Sequence, residues 1–113
     1  MLTQKSIDDT AAKVAKCLNI DIPPIEIIEA QNSEADLGTG IIRLANWCLE
    51  TQSKLTYNLC HEMLHLALKL KEHSTNFKIA EAILLKEFGL TPIYEGDYPD
   101  VIINERGCPV WER

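Results

Sequence analysis

Four cysteines are spread along the chain at positions 17, 48, 60 and 108, and no two form a Cys-x-x-Cys pair. That spacing offers no paired-cysteine zinc ribbon or redox motif, and in a cytoplasmic protein the four are most simply read as reduced thiols, with Cys17 and Cys60 on helices and filling the core. No apolar run approaches the roughly 20 residues a membrane helix needs. The start, Met1-Leu2-Thr3-Gln4, lacks the basic and apolar character of a secretory leader. The expected location is therefore cytoplasmic, with no membrane contact. Positive charge is also short: 11 Lys and Arg stand against 17 Asp and Glu, for a net charge of −6. Non-specific nucleic-acid affinity comes from many cationic contacts, so the isolated chain is expected to bind nucleic acid only weakly. Targeting to DNA would then need a partner protein. There are no internal repeats and no low-complexity tracts.

What remains is one modest core. At 113 residues with 46% hydrophobic content, the chain is expected to form a single domain over 1–113. Residues 3–18 predict an amphipathic helix with Ile7, Ala11, Val14 and Leu18 on one face. Pro23-Pro24 closes it and opens a strand over 25–28. The polar stretch 31–40 reads as a turn or loop. A second strand follows from Gly40 to about Trp47, and Ile27 and Ile28 with Ile41 and Ile42 suggest a hairpin. Residues 54–71 predict a helix apolar on more than one face, hence buried. Ser74 or Thr75 would cap a further helix running to about Phe88, with Phe77, Ala80, Ile83, Leu84 and Phe88 as its stripe and Gly89 at its end. Val101-Ile102-Ile103 adds a possible third strand. The predicted fold class is α+β.

All three histidines, His61, His65 and His73, lie within residues 61–73, and the first two frame His61-Glu62-Met63-Leu64-His65. On a helix, this H-E-x-x-H spacing leaves the two imidazoles roughly 40° apart and about 6 Å along the axis. Two rings so placed can share one zinc ion, Zn2+, with bonds of about 2.0–2.1 Å. Glu62, next to His61, can reach a water there without displacing it, which suits amide hydrolysis with Glu62 as general base. Catalytic zinc takes a third protein ligand. His73 is the leading candidate, with Glu72, Glu81 and Asp97 as rivals. A continuous helix would carry His73 about 12 Å along the axis and about 80° round from His65, so the chain must fold back near Lys71. Tyr94 and Tyr98 are candidate donors to a tetrahedral oxyanion.

His61-Glu62-Met63-Leu64-His65, then His73 and Phe77 as His-x-x-x-Phe, with Gly40-Ile41-Ile42-Arg43-Leu44 before the helix, resembles the SprT-like zinc metallopeptidases. The resemblance spans about 25–90. It implies a minimal zincin-like domain: an N-terminal helix, a small sheet of two or three strands, the H-E-x-x-H helix and a following helix. It implies His61, His65 and His73 as zinc ligands, Glu62 as general base, and a strand at 40–44 or its neighbour holding an extended peptide or protein substrate. Many members have glycine after the third histidine, where this chain has Ser74. Many carry a four-cysteine ribbon, of which only Cys108 has a counterpart, so a second structural zinc is not expected. Two other functions fit less well. One is a non-catalytic zincin-fold module that binds another protein. The other is a metal-dependent endoribonuclease, echoed by Leu64-His65-Leu66, but Glu62 stands where that family has glycine.

Overall fold

The computed structural model describes residues 1–91, 101–103 and 109–111. The chain opens with α1, Gln4–Leu18, and continues through three strands, β1 (Ile25–Ile28), β2 (Glu34–Asp36) and β3 (Ile41–Ala45). A 3-10 turn, Asn46–Glu50, leads into α2, Gln52–Leu68, and then α3, Thr75–Glu87. Ile7, Ala11 and Val14 of α1 are buried, as their spacing predicts. The fold is α+β: three helices with a small mixed sheet.

The sheet differs from the predicted hairpin. Its order is β1-β3-β2, and β1 runs parallel to β3, with Ile25 opposite Ile42 and Ile27 opposite Leu44. The chain leaves β1, passes to the far edge to form β2, and returns through a tight connection into the central β3. The stretch read as a loop thus holds a strand, Glu34-Ala35-Asp36, whose residue types carry little β propensity and whose shape comes from pairing antiparallel with β3. The return is closed by Asp36. Its carboxylate accepts the Gly38 and Thr39 N–H groups at 2.9 and 3.1 Å, and its carbonyl accepts from Gly40 N–H at 2.7 Å. Gly40 sits at φ +76°, where a side chain would be strained. The Thr39 N–H, first among several donors, holds the Asp36 carboxyl below its usual range.

Alternation then decides which backbone groups remain open. Ile42 N–H donates to the Pro24 carbonyl on the β1 side, so Ile41 and Arg43 direct their backbone groups toward β2. Their partners Asp36 and Glu34 face β3 in turn, and the N–H and C=O of Ala35 point outward along the open edge of β2. On the inner face, Ile42 and Leu44 are fully buried in the core.

α2 is the buried spine. Every residue from Leu55 to His65 is buried except the half-buried His61, as the near-continuous apolar character of the segment predicts. It starts two residues earlier and stops three earlier than the predicted 54–71. In α3, Ser74 is the N-cap, its hydroxyl accepting from Phe77 N–H at 3.3 Å. The α3 stripe is rotated from the predicted one: Phe77, Glu81, Leu84 and Leu85 are buried, while Ile83 is 64% exposed. From Phe77, positions 81, 84 and 88 return to within about 40° at helical pitch, whereas 83 lies about 120° away. Cys60 is buried as expected, but Cys17 is exposed, because it falls outside the 7-11-14 face of α1. Burial pushes the Cys48 and Cys60 thiols up to about 11 and about 12, which leaves them unreactive at neutral pH. Val101–Ile103 does not join the main sheet. As β4 it pairs antiparallel with β5, Pro109–Trp111, in a separate two-stranded sheet. No helix among the described residues is long and apolar enough to cross a membrane.

α2 ends on Lys69, held left-handed at φ 55°, ψ 40°, with its N–H bonded to the His65 carbonyl. That conformation costs an L-residue roughly 1–2 kcal/mol, part of which glycine recovers after its own entropy loss. Lys69→Gly is expected to stabilise the protein by about 0.5–1 kcal/mol in urea denaturation. An unchanged or lowered midpoint would show that this turn carries no strain.

Candidate metal centre

The turn after α2 is built around His65. Both Lys69 N–H and Leu70 N–H point at the His65 carbonyl, and the His65 ring returns the favour by donating from Nδ1 to the Leu70 carbonyl at 2.6 Å. A carbonyl only accepts, so Nδ1 carries the proton and Nε2 presents a lone pair. The chain folded back in this way carries residues 71–74 across the helix to the start of α3. His73, the residue before the cap Ser74, is half-buried and brings its Nε2 to the His61 and His65 rings of α2.

His61 is oriented from the other side. Its Nδ1–H donates to Oε2 of Glu81, a fully buried carboxylate on α3. Its Nε2 therefore also presents a lone pair. The three Nε2 atoms form a nearly equilateral triangle: His61–His65 3.3 Å, His65–His73 3.2 Å and His61–His73 3.1 Å. Bonds of about 2.0–2.1 Å meeting at tetrahedral angles span edges of about 3.3–3.4 Å, so the triangle matches three vertices of a zinc tetrahedron. A shared cation relieves the repulsion of the His61 and His65 lone pairs, whose Nε2 atoms stand 3.3 Å apart. The donor set fits a metal ion, and among the described residues this is the one cluster of three potential ligands that does.

The walls are aromatic. Phe77, fully buried, stacks on His65 with ring centroids 4.3 Å apart and meets His61 and His73 at 5.4 and 5.2 Å. Tyr57, one turn before His61 on α2, lies nearly parallel to its ring at 6.5 Å. These contacts restrict ring rotation and keep the site's inner side apolar. Its outer side opens into a cleft of about 410 Å³ whose lining includes Ala35, Gly38, Glu62, Leu70 and Lys71. Glu62 is buried within α2 yet reaches this cleft beside His61 and His65.

Of the residues singled out from the sequence, His61, Glu62, His65 and His73 come together at one cleft. Glu81 does not sit at a ligand vertex but behind His61, and Glu72 is exposed and outside the cluster. Asp97, Tyr94, Tyr98 and Cys108 lie outside the described residues. Tyr57 was not anticipated, although its i−4 spacing from His61 puts it on the same helix face. The strand at 40–44 or its neighbour is expected to hold substrate: β3 is the centre of the sheet, occupied on both edges, and contributes Arg43 to the cleft, while its neighbour β2 lines the cleft with Glu34, Ala35 and Asp36.

Burial lowers the His65 pKa below 6.5, against a smaller raising effect from the Leu70 carbonyl. The unfolded chain then takes up the proton first as pH falls, so this contribution is present above about 6.5 and is lost as pH drops through the folded value. The urea midpoint of the metal-free protein is expected to fall between pH 7.5 and 5.5, and His65→Gln to flatten that fall. An identical pH profile in the variant would remove His65 as its source.

No protein-family model matches the sequence, and no curated protein matches it. Solved structures do. The chain is similar to the metallopeptidase zymogen of Pyrococcus abyssi abylysin at 22% identity and a TM-score of 0.61, over 66% of this chain and 75% of that one. It is similar to the metallopeptidase zymogen of Methanocaldococcus jannaschii jannalysin at 25% identity and a TM-score of 0.58, over 66% of this chain and 76% of that one. Over about two thirds of its length, then, the fold of this chain is like that of these two metallopeptidase zymogens.

Proposed function

We propose that this chain is a zinc-dependent metallopeptidase, of the SprT-like kind that its His61-to-Phe77 motif resembles. The observation that carries the reading is the Nε2 triangle of His61, His65 and His73, with edges of 3.1–3.3 Å beside a buried Glu62 on an open cleft. The likeness in fold to metallopeptidase zymogens supports it.

In this reading the three imidazoles of His61, His65 and His73 would hold the metal at the wall of the cleft. Bound there, zinc would supply a Lewis acid that polarises a carbonyl and makes water more acidic. The protein's own part lies with Glu62 and β2. Glu62, held in α2 where its backbone cannot shift, accepts a proton on a carboxylate oxygen from the attacking water and delivers it to the departing amine nitrogen. An extended peptide pairs along the open edge of β2, where the Ala35 N–H and C=O are directed, and so lies across the cleft with its scissile bond at the histidines. Phe77 and Tyr57 keep the rings from turning while this happens. With a net charge of −6, the isolated chain would hold duplex DNA weakly, and its substrate is a peptide or protein.

Glu62→Gln separates binding from chemistry. With fluorescein-labelled casein as probe, the wild type carrying one equivalent of zinc is expected to cleave. The variant should bind zinc as tightly and lose about 10²–10⁴-fold in rate, because an amide does not accept the proton. A variant cleaving at the wild-type rate would remove Glu62 as the base. Loss of zinc from the variant would place Glu62 among the ligands.

A further inference from the structure

Glu81 lies in the apolar seam of α3, in phase with Phe77, Leu84 and Leu85, and is 0% exposed. Nothing in the packing of that seam calls for a carboxylate. One oxygen, Oε2, accepts from His61 Nδ1–H, while Oε1 is buried with no hydrogen-bond partner among the described residues. A carboxylate so placed destabilises the fold unless charge reaches it from elsewhere, and leucine at this position would pack at lower cost. Among the described residues the hydrogen-bonded route for such charge is the His61 ring: a cation on Nε2 polarises the Nδ1–H bond and strengthens its bond to Oε2.

We infer that Glu81 is a positioning residue that, through His61, sets the metal affinity of the three-histidine site, and that the metal-free protein is less stable because of it. The inference rests on the three histidines being a metal site. The Glu81 carboxylate fixes the proton on Nδ1, aims Nε2 into the triangle and makes the ring a stronger donor. The same carboxylate is the group the metal-free core compensates least.

The opposed signs give the test. Zinc affinity is measured by competition with a chromophoric chelator, and metal-free stability by urea denaturation, for the wild type, Glu81→Gln and Glu81→Leu. The wild type should bind one zinc. Both variants should bind it about 10–100-fold more weakly, leucine the more affected, while their metal-free urea midpoints equal or exceed that of the wild type. Cobalt-loaded Glu81→Gln, which keeps the side chain's shape, should show visible bands displaced from those of the wild type. Wild-type zinc affinity in both variants would overturn the inference. So would lowered metal-free midpoints with affinity unchanged, which would make Glu81 a packing residue. If the wild type itself bound no zinc, the metal reading would fall and this inference with it.

Discussion

The bond from His65 Nδ1 to the Leu70 carbonyl is the constraint on which the site depends. It reaches from the last turn of α2 to the first residues beyond it, so one contact both closes the helix and turns the chain. Without that reversal, α2 would continue and carry His73 away from the other imidazoles. The same bond assigns the proton to Nδ1, which leaves Nε2 to face the triangle. Glu81 does the equivalent for His61 from α3, so the turn after α2 and the helix α3 each fix one ring. The fold around the site exists largely to bring α3 against α2 in this register, and Phe77 fills the space where the three rings converge.

Much of this was legible in the sequence because helical periodicity is a local property. The buried spine of α2, the Ser74 cap and the pairing of His61 with His65 follow from spacings of three and four residues, while His73 follows from the need for a third ligand and a chain reversal near Lys71. The topology of the sheet was not legible, for a physical reason: Ile27 and Ile42 announce two apolar strands but say nothing of their direction, and the short Glu-Ala-Asp strand between them has no signal of its own. Its position at the edge follows only from pairing with β3. The error over Ile83 has a different origin. A stripe drawn through apolar residues alone passes over Glu81, whose charge disguises that it occupies the buried phase of α3. Keeping the 3.6-residue phase in place of the residue chemistry would have found it, and with it the acceptor behind His61.

The small sheet makes sense once its edges are considered. β3 is paired on both sides and serves as a floor, with Ile42 and Leu44 pressed into the core. β2 is short and flanked by the Asp36 turn, and it offers the Ala35 backbone at the cleft. An edge strand is normally a hazard for unwanted pairing. Here the edge is three residues long, and the charged side chains of Glu34 and Asp36 lie near Arg43, at 3.6 and 3.3 Å from its guanidinium. Such an edge leaves room for one extended strand at one place, which is what the proposed peptidase function requires.

The proposed chemistry turns on three imidazoles meeting one metal. Zinc K-edge X-ray absorption of the metal-loaded protein tests this without any substrate. The account predicts multiple-scattering features of three histidines at about 2.0–2.1 Å, with a single further light-atom ligand. A sulfur shell near about 2.3 Å, or a fit requiring only two imidazoles, would contradict it.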